Sequence, residues 1–299
     1  MMKITRWLKS IAMPLCMVVG AVFCREISWL DRATHGLMTP IFIFVMLLLT
    51  YCRVDARRMR LSGMHVWLML FQIVGSLIAY YLFAQWSVVL AQGAMICILT
   101  PVAMAAVVIG GMLGANIETM SAFSLLCNIV IACIAPLFLS YFGNGECSTA
   151  QILQRVLVLL VVPFVVGQFC RVALPKISKY VSGYSQISFY VWLLSLTVII
   201  GRTTCFLLDY ETEREMEILL AVVALVICLL QFKIGRFIGR RYGDAAAGGQ
   251  SLGQKNTILA VWLSQSFLDP IASVAPTAYI VWQNLVNSYQ LYRKGSEKS

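Results

Sequence analysis

Ten apolar stretches, each near the length needed to cross a bilayer, take up most of this 299-residue chain. A membrane-spanning helix needs about 17–25 mostly apolar residues. The predicted spans are 7–24, 34–54, 64–83, 87–114, 120–142, 152–172, 187–208, 218–232, 245–268 and 271–292. Only 12% of the residues are charged, against about 25% in soluble domains. The sequence therefore predicts an all-α, multi-pass membrane protein without a soluble domain.

Basic residues mark every second connection between these spans. Of the 23 lysines and arginines, 17 lie on one predicted side of the membrane. They are Lys3, Arg6, Lys9, Arg53, Arg57, Arg58, Arg60, Arg171, Lys176, Lys179, Lys233, Arg236, Arg240, Arg241, Arg293, Lys294 and Lys298. The positive-inside rule makes this side cytoplasmic, which places both termini in the cytoplasm and the chain in the inner (cytoplasmic) membrane. Because the charges lie in short loops without a basic–aromatic surface, the net charge of +10 does not indicate nucleic-acid binding.

The ninth span is expected to break at three glycines, because glycine frees the backbone from helical geometry: Gly248, Gly249 and Gly253. Around the break lie five polar residues: Gln250, Ser251, Gln254, Lys255 and Asn256. A lysine inside a membrane span is costly and therefore a functional candidate. The alternative is a re-entrant loop whose lysine snorkels to the surface.

The fourth span is also interrupted, since Pro101 removes a helical hydrogen bond and three glycines loosen the later turns of the span: Gly110, Gly111 and Gly114. Spans four and nine hold the same position in two five-span halves, 7–143 and 149–293. An odd number of spans in each half requires the second repeat to be inverted. Interrupted spans at matching positions point to the central site of a transporter, here a single unit over residues 1–299.

The chain resembles the bile acid:sodium symporter family of ten-helix secondary transporters at these interrupted spans. Residues 251–260 read SLGQKNTILA, similar to the family's Glu-x-Gly-x-Gln-Asn-Ser-Gly-Leu-Ala. Residues 134–137 resemble Leu-Ala-Pro-Leu, and residues 282–284 resemble Trp-His-Asn. The resemblance implies a core of spans three to five and eight to ten, crossing at Lys255. It implies a second panel of spans one, two, six and seven.

The departures from the family pattern concern its sodium ligands. Alignment on Pro101 places Ala106 and Val107 where the family has serine and asparagine, and Gly110 where it has threonine. Ser251 replaces the family's glutamate, and Lys255 its glutamine. Hard cations need several oxygen ligands, so the resemblance implies that the sodium sites are lost. Lys255 then either replaces the cation as a fixed charge or releases and rebinds a proton in each cycle. No cofactor is expected.

Polar residues elsewhere give weaker indications. Gln72, Asn128 and Asn284 are further lining candidates, although interhelical hydrogen bonding explains Asn128 equally well. No metal site is expected, because the ten cysteines contain no C-x-x-C and the two histidines are isolated. Arg202 is expected to pair with the acidic residues between 209 and 217. Cys147 and Cys205 fall on the predicted outer side, where a disulfide is chemically permitted.

The sequence favours a secondary transporter of small or amphipathic organic anions, such as bile acid-like or carboxylate solutes. Its expected partners are that solute and the lipid bilayer, with no nucleic acid. One alternative is an integral-membrane enzyme acting on lipids, which would need clustered acids and histidines; the chain shows no such cluster, so we expect no enzyme. The other alternative is a non-transporting receptor or a channel on the same fold.

Overall fold

The computed structural model describes residues 12, 14–52, 61–103, 105–143, 148–174, 185–209 and 214–296. Residues 14–22 are helical. The α-helices after this stretch are α1 (Cys24–Ala33), α2 (Met38–Tyr51), α3 (Gly63–Ala84), α4 (Val88–Leu99), α5 (Ala105–Met112), α6 (Ile117–Phe142), α7 (Thr149–Ala173), α8 (Ser185–Asp209), α9 (Arg214–Arg240), α10 (Ala245–Gly253), α11 (Thr257–Phe267) and α12 (Val274–Ser296). A 3₁₀ turn, Pro270–Ser273, leads into α12.

Five of the described helices are long and apolar enough to cross a membrane: α3, α6, α7, the Tyr190–Asp209 part of α8, and α9. A sixth span arises if α1 and Met38–Leu49 of α2, which are bent by 85°, count as one. The chain is therefore an all-helical, multi-pass membrane protein. The predicted fourth and ninth spans are divided into half-helices of 12, 8, 9 and 11 residues, each shorter than a spanning helix.

Helix α1 lies in a region that the sequence patterns predicted to be a loop. Its sequence, CREISWLDRA, mixes charged with apolar residues, so a search for uniformly apolar stretches passes over it. Asp31 on α1 is buried, while Trp29 and Leu30 are exposed. The helix ends where His35 and Gly36 adopt positive φ angles of 52° and 73°.

The chain divides into two compact units, one of residues 1–54 and 158–212 and one of residues 55–157 and 213–299. In the first unit, α8 packs against both α1 and α2. Its contact with the first helical stretch is close, because a Cβ atom at Gly20 would lie 2.5 Å from the carbonyl oxygen of Thr197. Only glycine permits that approach of the two backbones.

A partly buried ion pair in the first unit gives Arg202 a partner that the sequence did not predict. Arg202 Nε lies 3.2 Å from Asp31 Oδ2, and Arg202 Nη1 donates a hydrogen bond to Thr39 Oγ1 at 3.2 Å. Helix α1 thus brings its own carboxylate to the arginine, whereas Glu211 and Glu213, two of the expected partners, lie outside the described residues. The structure does not test the Cys147–Cys205 disulfide that the sequence permits, since Cys147 lies outside the described residues.

In the second unit, α9 packs along α10 through glycines. A Cβ atom at Gly248 would lie 2.2 Å from the carbonyl oxygen of Gly235, and one at Gly235 would lie 2.3 Å from that of Gly248. Gly248 and Gly249 lie within helix α10, so the expectation that they break the ninth span is wrong. Gly248 allows the two backbones to pack closely, and Gly249 makes room for the side chain of Arg236. The break itself comes at Gln254.

Candidate functional site at the crossing of two broken helices

The two interrupted segments meet where each of them leaves helical geometry. Val102 and Lys255 form an isolated antiparallel β-bridge. On one side of this bridge the Ala103 N–H donates to the Gln254 carbonyl at 2.9 Å, and on the other the Asn256 N–H donates to the Pro101 carbonyl at 2.8 Å. We call residues 100–103 and 254–256 the crossing.

Local sequence accounts for both breaks. Thr100 has an extended backbone, with φ −57° and ψ 141°, as expected of a residue before proline. In the other segment, Asn256 caps the start of α11, because its Oδ1 accepts the Leu259 N–H at 3.2 Å. Asparagine is among the preferred N-cap residues, so helix resumes directly after the crossing.

Lys255 lies at the centre of the crossing and is buried, with 1% of its surface exposed. Its Nζ donates to the Ile98 carbonyl at 2.8 Å, and its backbone N–H donates to Gln283 Oε1 at 2.9 Å. Within the described ranges no carboxylate pairs with this ammonium group; its ionisable neighbours are the thiols of Cys97 and Cys127. The negative end of the α4 dipole therefore supplies its counter-charge.

Every carbonyl at the end of α4, from residue 97 to residue 100, accepts a hydrogen bond from a side chain. The donors are Gln231 Nε2 to Cys97 at 3.1 Å, Lys255 Nζ to Ile98 at 2.8 Å, and Gln72 Nε2 to Leu99 at 2.7 Å and to Thr100 at 2.9 Å. Helix ends leave their last four carbonyls without intrahelical partners. Here two amides and one cation satisfy them inside the protein.

The end of α10 is treated differently. The Gly253 carbonyl accepts from Tyr279 Oη at 2.8 Å. The Lys255 N–H donates to Gln283 and the Asn256 N–H donates to Pro101. Neither therefore donates to the carbonyl four residues earlier, as it would in a continuous helix, and these are the two carbonyls before Gly253. The Ser251 hydroxyl, which is fully buried, and Gln250 Oε1 have no hydrogen-bond partner. This helix end keeps unused oxygen acceptors.

Amide side chains continue from the crossing along α10 and α12. Gln250 Nε2 donates to Asn287 Oδ1 at 2.9 Å and to Gln290 Oε1 at 3.1 Å. Asn287 Nδ2 in turn donates to Gln254 Oε1. We call Gln254, Asn287, Gln250 and Gln290 the amide ladder.

The positions that align with the family's sodium ligands on α5 hold no side-chain oxygen. Ala106 is fully buried and Val107 is half-buried. A Cβ atom at Gly110 would lie 2.2 Å from Met120 Sδ, so the methionine side chain occupies the space that a larger residue would need.

The three further lining candidates divide into two groups. Gln72 reaches the crossing through its two hydrogen bonds to the end of α4, and its Oε1 accepts from the Cys127 thiol at 3.4 Å. Asn128 and Asn284 instead donate to carbonyls one turn earlier in their own helices, at 2.7 and 2.6 Å.

Several residues of the network were missed by sequence reasoning: Gln231, Tyr279, Gln283, Asn287, Gln290, Cys97 and Cys127. Each amide among them interrupts a predicted apolar span, and that signal, polar groups in membrane segments, marks interhelical contacts. The sequence does not show that the predicted spans eight and ten bring these amides to spans four and nine. Among the described residues, no group of three His, Cys, Asp or Glu side chains could hold a metal ion.

The chain matches no protein-family model and no curated protein sequence. The fold and the site define a class of protein, namely a multi-pass helical membrane protein in which two interrupted segments cross and bury one lysine at the crossing.

Proposed function

We propose that this chain is a secondary transporter of small or amphipathic organic anions, and that Lys255 takes the place of a coupling cation at its centre. The observation that carries the proposal is the hydrogen bond from the buried Lys255 Nζ to the end of α4. An ionisable side chain inside a membrane protein is expensive and marks solute or ion pathways. Broken helices provide the matching backbone groups at the same place.

The proposed architecture is ten spans in two inverted five-span repeats. Half-helices α4 and α5 make up the fourth span of the first repeat, and α10 and α11 the fourth span of the second. The two compact units also support the proposal, because their division of the chain follows the panel and core that alternating access requires. Resemblance to the bile acid:sodium symporter family at the ninth span adds to this support.

Sodium-independent transport is part of the proposal. Side-chain donors meet the carbonyls at the end of α4, and the aligned positions Ala106, Val107 and Gly110 offer no oxygen ligands. A lysine ammonium carries the charge of one sodium ion and donates three hydrogen bonds. Whether that charge stays fixed or leaves as a proton in each cycle decides between an uncoupled and a proton-coupled carrier.

The nature of the site favours an anionic solute. Of the three N–H donors of Lys255, one is used by the Ile98 carbonyl. A carboxylate is the partner that a desolvated ammonium binds most strongly, since charge-assisted hydrogen bonds are about twice as strong as neutral ones.

The proposed location is the inner membrane, with both termini in the cytoplasm. The charge distribution among the loops supports this location.

The test is solute counterflow in proteoliposomes that contain the purified full chain. Radiolabelled pyruvate and cholate serve as probes of small and amphipathic anions. The proposal predicts saturable uptake that is accelerated by unlabelled solute inside the vesicles. Uptake without saturation would identify a channel, and binding without uptake would identify a receptor; either result contradicts the proposal.

A further inference from the structure

Arg236 is a half-buried basic side chain of α9, in the second unit. It projects from α9 across Gly249 of α10, where an added Cβ atom would lie 2.6 Å from Arg236 Cγ. Its Nη2 donates to Gln290 Oε1 at 3.4 Å, and its buried Nε has no hydrogen-bond partner. The glycine thus leaves room for the arginine to lie against α10 rather than extend outward.

Packing fixes the depth of Arg236 relative to the crossing. Phe232, one turn earlier on α9, lies against Gly253, where a Cβ atom would be 2.4 Å from the ring. Gly253 ends α10 beside the crossing, and Gly249 is one turn before it. Arg236 therefore lies about one helical pitch, roughly 5.4 Å, from the level of Gly253, towards the turn that joins α9 to α10.

The amide ladder joins Arg236 to the crossing. Gln290 Oε1 accepts from both Arg236 and Gln250, and Gln250 also donates to Asn287. Asn287 in turn donates to Gln254, the residue before Lys255. A continuous series of polar side chains therefore leads from Arg236 to Gln254, the residue before Lys255.

No carboxylate in the described parts of the chain pairs with Arg236. The acid at the nearby turn is Asp244, and both of its oxygens are in use. Oδ1 accepts the Ala247 N–H at 2.8 Å, and Oδ2 accepts the Asn116 N–H at 2.7 Å. The guanidinium is half-buried towards the end of α9, and within the described residues the protein supplies it with one amide oxygen.

We propose that Arg236 forms a second anion site, which holds the carboxylate of the solute one step from Lys255 along the amide ladder. This inference rests on the proposed function and adds a binding position to it. The unused Nε and guanidinium N–H groups present the planar fork that matches a carboxylate. Two cations joined by amides give an anion two successive positions within the same half of the protein.

The test is saturable binding of benzoate to the purified full chain, followed as a rise in melting temperature at constant ionic strength. We expect Arg236→Gln to raise the half-saturating concentration about tenfold or more, the equivalent of about 1.4 kcal/mol. Arg236→Lys keeps the charge without the planar fork, and its half-saturating concentration should lie between those of the wild type and Arg236→Gln. Lys233→Gln, an exposed cation of the same helix, is the matched control and should bind as the wild type does.

Wild-type binding in Arg236→Gln, or an equal loss in Lys233→Gln, would overturn the Arg236 site. The inference also fails if the wild-type protein shows no saturable shift. A counterflow assay distinguishes failure of the anion-site proposal from failure of the transporter proposal. If benzoate binding depends on Arg236 but pyruvate counterflow is absent, the anion site stands and the transporter proposal fails. If counterflow occurs with the same KM and benzoate affinity in Arg236→Gln, the transporter proposal stands and the anion site fails.

Discussion

The two half-helices that end at the crossing, α4 and α10, have the same geometric problem and different solutions. At the end of α4, Lys255, Gln72 and Gln231 satisfy four successive carbonyls. At the end of α10, the Ser251 hydroxyl and Gln250 Oε1 are buried without partners. One helix end is closed by the protein's own donors, and the other keeps its acceptors.

The paired carbonyls at the end of α4 meet a structural requirement, whereas the unpaired acceptors at the end of α10 do not. Unpaired carbonyls in a membrane interior cost several kcal/mol unless a donor or an ion meets them. The protein supplies its own side-chain donors for α4, so that the carbonyls at this end need no external ion as a partner. Substitution of the donors at the α4 end, and then of an acceptor at the α10 end, tests the difference.

Replacement of Lys255 is expected to have the largest effect. Lys255→Gln keeps a donor for the Ile98 carbonyl but removes the charge, and we expect the rate of pyruvate counterflow to fall about tenfold or more, since a charge-assisted hydrogen bond contributes about 1.5–3 kcal/mol. Lys294→Gln is the control, because Lys294 donates to the Leu113 carbonyl at the end of α5, away from the crossing. Its rate should stay near that of the wild type.

Lys255→Arg tests the mechanism at the same position. Arginine keeps the positive charge and cannot release a proton at ordinary pH. A proton-coupled carrier should therefore lose its response to an imposed pH gradient in this variant, whereas an uncoupled carrier should keep its wild-type behaviour. Wild-type rates in both Lys255 variants, with an unchanged response to the gradient, would show that Lys255 is not the central functional group.

Gln72→Leu removes the donor of two carbonyls at the end of α4 and should destabilise the protein. A buried acceptor without a partner costs about 1–3 kcal/mol in proteins, reduced in membranes to about 0.6 kcal/mol on average for a hydrogen bond. For two hydrogen bonds we expect a loss of about 1–2 kcal/mol in the free energy of unfolding, measured by denaturant titration in detergent. Gln85→Leu, at the exposed end of the same helix, is the control. Equal stability of the two variants would contradict the closed α4 end.

Ser251→Ala should have the smallest effect. Its hydroxyl has no partner, so the free energy of unfolding should change by less than about 0.5 kcal/mol, and the counterflow rate should not change. Ser264→Ala is the comparison, since the buried Ser264 hydroxyl donates to the Ala260 carbonyl at 3.0 Å. A strong loss of transport in Ser251→Ala alone would mean that the α10 end holds a ligand during the cycle.

The sequence predicts the breaks better than their positions. Pro101 marks the fourth-span break directly, because proline removes a helical donor. In the ninth span the glycines pointed to the right segment for the wrong reason, since Gly248 is helical and packs against Gly235. Glycine allows both irregular backbone and close helix packing, and a single sequence does not distinguish them without the partner helix.

Contacts between distant segments account for most of what sequence reasoning missed. Gln231 and Tyr279 come to the crossing from α9 and α12, and no local pattern predicts which amide in an apolar span faces another helix. The pairing of Arg202 with Asp31 depended on α1, whose mixed composition conceals it from a hydropathy search. The burial of Lys255 could be predicted, because a lysine within an apolar span stands out without knowledge of its partners.

The most direct test of the account is the sodium dependence of the wild-type protein. If Lys255 serves as the cation of the crossing, pyruvate counterflow should keep the same initial rate and the same KM when choline replaces sodium at constant pH and ionic strength. A collapse of the rate in choline, or a rise in substrate affinity that depends on sodium, would contradict the central claim.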